Sequence, residues 1–140
     1  MKYYAGIGNR DIDVDIYYLI ERIASKMAEF GYTLRSGGAQ GCDKAFAEGA
    51  LWDKQIFLAD DCTQDSMNVA KQFHPAWHNC SDYARKLHAR NSLIILGADL
   101  KQPVERVICY AKNENSGGTA LGIKIARHYN IPVMNLANKK

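Results

Sequence analysis

Three glycine-rich turns, each set between an apolar run and an amphipathic stretch, constrain the fold of this chain more than any other feature. They are Gly6-Ile7-Gly8-Asn9-Arg10, Ser36-Gly37-Gly38-Ala39-Gln40-Gly41-Cys42-Asp43 and Ser116-Gly117-Gly118-Thr119. The first closes an apolar run over residues 3–7, which reads as a buried strand. After it, Ile12, Ile16, Leu19, Ile20, Ile23, Met27 and Phe30 recur at intervals of three and four, the period of a helix with one apolar face. Asp11 or Asp13 is placed to cap that helix and Gly31 to end it. Residues 32–35 predict a second strand, which runs into the second glycine turn. A helix over about 41–51 and a strand over 55–58 follow.

Residues 59–80 mix acids, aromatics and a proline, and read as an irregular excursion with a short helix near 67–73. Ser81 is a natural N-cap for a helix through Asp82, Ala84 and Leu87. The apolar run 93–96 fits either the end of that helix or a strand, because four residues carry no decisive period. A strand over 104–110, a helix from Gly117 to about Tyr129 and a last strand over 131–136 complete the chain. Strands alternating with helices in this way predict an α/β fold of three layers, a parallel sheet covered on both faces. Right-handed crossovers leave few arrangements, and the Rossmann-like order 3-2-1-4-5 is the expected one. The length of 140 residues suits a single domain spanning 1–140, without linker or repeat.

Composition narrows the functional classes. The net charge of +3 is near balance. Basic residues cluster only at Arg85, Lys86 and Arg90 and at Lys139-Lys140, so charge alone does not mark a general nucleic-acid binder. Cys42, Cys62, Cys80 and Cys109 form no C-x-x-C motif and are expected as free thiols. The first residues lead straight into a strand, and no apolar run approaches a membrane span, so a cytoplasmic protein without membrane contact is expected.

The chemistry is expected where strands end and helices begin. Each glycine turn lets the backbone come close to a ligand, and each following helix offers unpaired N–H groups and a partial positive charge. A phosphate satisfies both. In the order 3-2-1-4-5 the loops after strands one and four leave in opposite directions, and the crevice between them is the usual ligand site. None of the turns is a phosphate loop of the Walker type, since no Lys-Ser/Thr pair follows, and Gly6 and Gly8 are followed by Asp11 rather than a third glycine. Arg10 follows the first turn directly, and its forked guanidinium suits phosphate. Asp43 would be repelled by phosphate, so a ribose hydroxyl is its better partner. Arg35, inside a strand, requires a carboxylate or the ligand as partner. Trp77 and Tyr83 offer surfaces on which a base could stack, or simply pack against the excursion. Asp60 and Asp61 read as solvated loop acids. His74, His78 and Cys80 resemble part of a zinc set, but Pro75 interrupts the element that would align them and no fourth ligand stands out, so no metal is expected.

The segments YAGIGNR, LRSGGAQGCDKAFAEGA, LHARN and SGGTALGIKIARHYNIPVMNL together resemble the SLOG superfamily. That group includes the core of DNA-processing protein A, the lonely-guy phosphoribohydrolases and the molybdenum-cofactor carrier proteins. The nearest resemblance is to its short stand-alone DNA-processing-A-like branch, common in phages and bacteria. It implies that Gly8, Asn9 and Arg10 form the first-strand ligand loop and that Ser36, Gly37, Gly38, Gly41 and Asp43 form the second. It further implies that Arg90-Asn91 lie in a helix beside the site, which favours helix over strand at 93–96. Ser116, Gly117, Gly118 and Thr119 would be the loop that holds phosphate.

The lonely-guy enzymes carry a glutamate shortly after that last loop, and residues 117–124 here contain none. Asp43 and Glu48 are the remaining carboxylates that could take part in cleavage. The missing glutamate therefore favours binding without chemistry: a phosphate-bearing, nucleotide-derived ligand such as ADP-ribose or a cyclic signalling nucleotide, sensed or sequestered, with no cofactor. A phage protein of this kind would act as a counter-defence sponge. The alternatives are a nucleoside-5'-monophosphate N-glycosidase and a single-stranded DNA-binding protein, the latter disfavoured by the few lysines in the expected crevice. The resemblance also implies a homo-oligomer in the cytoplasm of a bacterial or phage-infected cell.

Overall fold

The computed structural model describes residues 2–138; the basic pair Lys139-Lys140 lies outside them. In chain order the elements are β1 (Lys2–Gly8), α1 (Val14–Glu29), β2 (Tyr32–Gly37), α2 (Cys42–Ala50), β3 (Lys54–Phe57), α3 (Gln64–Phe73), α4 (Asp82–Leu96), β4 (Arg106–Tyr110), α5 (Gly118–His128) and β5 (Val133–Asn135). Two single-turn 3₁₀ segments, Ala59–Asp61 and Trp77–Asn79, punctuate the excursion between β3 and α4. All strands are parallel and lie in the order β3-β2-β1-β4-β5, the Rossmann-like arrangement expected from the alternation.

Successive strand residues point to opposite faces, and each face has its own core. Tyr4, Leu34 and Ile108 pack with Ile20 and Ala24 of α1 and with Ala45 and Phe46 of α2. Ala5, Ile7, Val107 and Cys109 pack with Ala70 of α3, Ile94 and Ile95 of α4 and Leu121, Ile123 and Ile125 of α5. The sheet is thus a middle layer between two helical ones. All four cysteines are free thiols, and among the described residues no helix is long and apolar enough to cross a membrane.

Most differences from the sequence reading are at element ends. Residues 93–96 complete α4, which stops at Gly97 with φ +91. The chain then folds back, so that the Gln102 and Val104 N–H groups donate to the Leu96 and Ile95 carbonyls. α3 begins three residues earlier than the apolar spacing suggested. Thr63 Oγ1 accepts from the Ser66 N–H while Ser66 Oγ accepts from the Thr63 N–H, a reciprocal cap. Asp13 occupies the N-cap of α1, but its side chain makes no capping hydrogen bond.

Candidate functional site

The loops after β1, β2 and β4 meet at the carboxyl edge of the sheet, where the β1–β4 pair marks the reversal of strand order. A hollow of about 370 Å³ opens there. Gly8, Asn9 and Arg10 line it from the first loop, Ala39 and Asp43 from the second, and Ser116, Gly117, Gly118 and Thr119 from the third. α4 contributes Arg90, Asn91 and His88. A second hollow of about 300 Å³ adjoins it, sharing Arg10, Ala39, Leu87 and Arg90 and extending past Gly38 to Leu58, Asp60 and Tyr83.

Backbone requirements explain much of the glycine pattern. Gly41 sits at φ +75 as the N-cap of α2, and a Cβ there would collide with the carbonyl groups of Arg10 and Asn9. The first and second loops touch through this gap, and the Cys42 N–H donates to the Asn9 carbonyl at 3.1 Å. Gly37 is buried between Arg90 and Asp43; a Cβ there would come within 2.8 Å of Asp43 Oδ2 and meet the Arg90 guanidinium. Ser36 is fully buried and donates from its hydroxyl to the Gly6 carbonyl at 2.6 Å, tying β2 to β1. Ser36, Gly37 and Gly41 therefore shape the site from behind and do not line either hollow.

Asn9 and the Arg90-Asn91 pair brace the loops. Asn9 Oδ1 accepts from the Lys112 N–H at 2.9 Å, and its own N–H donates to the Tyr110 carbonyl, so one residue joins the ends of β1, α2 and β4. Arg90 Nε donates to Asn91 Oδ1 and Nη1 donates to the Phe57 carbonyl, both at 3.0 Å. Asn91 Nδ2 donates to the Gly118 carbonyl at 3.1 Å. Two of the five guanidinium N–H donors of Arg90 are thus engaged in holding β3 and α5, and the others remain for the crevice. Gly117, the N-cap of α5, supplies no side-chain cap, which leaves the first-turn amides of that helix to an outside acceptor.

The electrostatics are unbalanced in an informative way. Asp43 is 7% exposed, and its Oδ2 accepts from the Ala39 N–H at 3.3 Å. Burial pushes its carboxyl up to about 6, against the opposing pull of the Arg90 charge, the Ala39 N–H and, more weakly, Arg10. Among the described residues the ion pairs are Lys26–Glu29 and Arg127–Glu114, so Arg90 and Asp43 face the slot at Gly37 without direct contact. Burial lowers the Arg90 guanidinium and the His88 imidazole from their ordinary values, His88 further through its neighbours His74 and Arg90.

Several residues singled out in the sequence lie elsewhere. Glu48 is exposed on α2, accepts a hydrogen bond from the Tyr17 hydroxyl, and lines neither hollow. Arg35 finds neither a carboxylate partner nor the crevice; it donates to Gln55 Oε1 and to the Gln102 carbonyl, with its guanidinium over the Tyr3 ring. Asp61 caps its own turn by accepting from the Leu58 N–H, while Asp60 reaches the second hollow. Trp77 packs against the core beside His74, under the Arg85 guanidinium, whereas Tyr83 is 64% exposed at the second hollow. His78, on an exposed turn, stays apart from His74 and Cys80; the third member of their cluster is His88, fourteen residues beyond His74 and brought in by α4. No sequence spacing signals that meeting, which depends on how α3 packs on α4.

No family model matches this chain, and neither does any curated protein. Among solved structures it is similar to DNA processing protein A from Helicobacter pylori, a structure described for its single-stranded DNA binding mode. The TM-score is 0.67 and the identity 22%, over 94% of this chain and 63% of that one. The chain therefore spans less than two thirds of that protein's length, and the likeness is one of fold.

Proposed function

We propose that the crevice is a groove for single-stranded DNA, with phosphates seated along Arg10, Arg90 and the start of α5 and a base on Tyr83. The observation that carries this reading is the continuity of the two hollows through shared Arg10 and Arg90. A closed pocket accommodates one nucleotide; a groove that continues past two arginines has a place for the next phosphate as well. Exposed Tyr83 at its far end offers a stacking face, which only an unpaired base can use. The scarcity of lysines weighed against nucleic acid in the sequence, but two arginines and a helix start supply the same positive field. The fold likeness to a single-stranded DNA-binding protein supports the same reading.

A single nucleotide-derived ligand is the second reading. It is favoured by the size of the first hollow alone, about 370 Å³, within the range of small-molecule sites. Asp43 is the one carboxylate lining that hollow, and it is engaged by the Ala39 N–H. Binding without bond cleavage is the simpler use of such a site.

The two readings separate in one set of titrations. A fluorescent oligothymidylate is followed by anisotropy across salt concentrations, and ADP-ribose, AMP and NAD by calorimetry. The DNA reading expects log K to fall with log salt by about 0.7 for each phosphate held. Arg10→Ala should flatten that slope by roughly one contact while leaving stability within about 0.5 kcal/mol, since Arg10 is exposed. Mononucleotide binding without oligonucleotide binding selects the second reading, and failure of every probe at low salt removes both.

A further inference from the structure

At the wall of the crevice three side chains meet that the proposed DNA contacts do not use. His74 follows α3 as its C-cap, Cys80 ends the excursion just before α4, and His88 lies within α4. One ligand atom from each, a ring nitrogen or the thiol sulfur, lies within 4.8 Å of the other two. His74 Nε2 and Cys80 Sγ are 3.6 Å apart. A tetrahedral zinc ion with bonds of ~2.3 Å to sulfur and ~2.05 Å to nitrogen sets those two atoms about 3.6 Å apart and two nitrogens about 3.3 Å apart. One edge of the tetrahedron is already at its bound length, and the others need to close by at most ~1.5 Å.

We propose that His74, Cys80 and His88 form a site for a borderline-soft divalent ion of the zinc class, held by one thiolate and two imidazoles with the fourth position open to solvent. One thiolate with two imidazoles is a donor set that suits zinc better than calcium or magnesium, which take oxygen ligands. All three residues are half-buried. His88 Nδ1 is buried and has no hydrogen-bond partner, an orphaned polar atom that calls for an explanation such as a ligand. The surrounding backbone is fixed independently: Arg85 donates from Nε and Nη2 to the Trp77 carbonyl and stacks over the Trp77 ring, pinning the turn that precedes Cys80 to α4.

Loading has a definite proton balance. The Ala76 N–H donates to His74 Nδ1 at 3.0 Å, so a neutral His74 ring carries its proton on Nε2, facing Cys80 Sγ. Binding moves that proton to Nδ1, gives up the Ala76 hydrogen bond, and releases the Cys80 thiol proton to solvent. The ion then joins the end of α3, the excursion and α4. Because His88 lines the first hollow and His74 lines a neighbouring one beside Ser116 and Gly117, it would stiffen one wall of the crevice.

The test uses the full chain stripped by a chelator and titrated with Co²⁺, whose thiolate charge-transfer band and intense tetrahedral visible bands report the donor set. One equivalent is expected, displaced by Zn²⁺. Cys80→Ser should abolish the charge-transfer band. His74→Asn and His88→Asn should weaken binding by more than the ~10–100-fold that losing an outer hydrogen-bonding partner costs. His78→Ala and Cys62→Ser, which alter residues outside the cluster, should leave the titration unchanged. Urea unfolding of each stripped variant verifies that it folds, and any one folded ligand variant suffices. A missing charge-transfer band, or one that survives Cys80→Ser or is untouched by His88→Asn, overturns the proposal.

Discussion

Asp43→Asn should make the protein more stable at neutral pH and remove a slope from its pH profile. Burial holds the Asp43 carboxyl at about 6, against 3.8 for the unperturbed group. The folded state therefore keeps the proton more tightly than the unfolded chain does. Between roughly pH 4 and 6 the native protein carries more protons, and stability falls as pH rises. About two pH units at ~1.4 kcal/mol each give about 3 kcal/mol of stability that is fully present below pH ~4 and lost above pH ~6. Asparagine has the shape of the protonated acid and accepts the same Ala39 N–H, so the variant avoids that loss. The difference between variant and wild type should be near zero at pH 4 and approach ~3 kcal/mol, or about 10 °C in Tm, at pH 8. Urea unfolding of both proteins at three pH values measures it. A gap that does not grow with pH, or a variant less stable than wild type at pH 8, would refute the reasoning. It would mean that the Arg90 charge fully compensates the buried carboxylate. A carboxylate kept at such a cost beside Arg90 and Arg10 fits a site shaped for a ligand rather than for stability.

Gly37→Ala should lose ~1–3 kcal/mol and weaken oligonucleotide binding together, because its methyl group would displace Arg90 and Asp43 at once. Urea midpoints and anisotropy check the pair. Asn9→Ala removes the acceptor of the Lys112 N–H while keeping the backbone bonds to Tyr110 and Cys42. It should cost ~0.5–1.5 kcal/mol and speed amide exchange at Lys112, leaving exchange in α1 unchanged.

The sheet order was legible because each strand and helix repeats a separate period, and parallel strands joined by right-handed crossovers have few arrangements. Boundaries were less so, because register decides them rather than apolarity. β3 starts at Lys54 since that residue pairs with Leu34, although nothing about a lysine signals a strand. The early start of α3 had a visible signal in Thr63 and Ser66, a capping box with serine where glutamate is the more familiar partner. Asp43 and Glu48, the two candidate carboxylates, part company because of helix geometry. Five residues turn ~140° beyond a full turn, so Asp43 can line the crevice while Glu48 faces outward to Tyr17. Arg35 illustrates a different limit: a backbone carbonyl, an amide and a ring together replaced the expected countercharge, and only tertiary structure brings them to β2.

Within the site, the residues marked by their motifs divide by physical role, which the motifs themselves do not reveal. Asn9, Ser36, Gly37 and Gly41 use their hydrogen bonds or their lack of a side chain to hold three loops together. Asn91 does the same for α4 and α5. In either proposed reading, recognition would fall to what is left unspent: the Arg10 fork, the uncommitted donors of Arg90, and the uncapped amides that open α5. These all donate to negative oxygen, and none reads a base. In the DNA reading, selectivity would come from the second hollow, where Tyr83, Leu58 and Asp60 provide the stacking, apolar and accepting surfaces that phosphate has no use for; in the single-ligand reading it would come from Asp43 and His88 beside the phosphate donors.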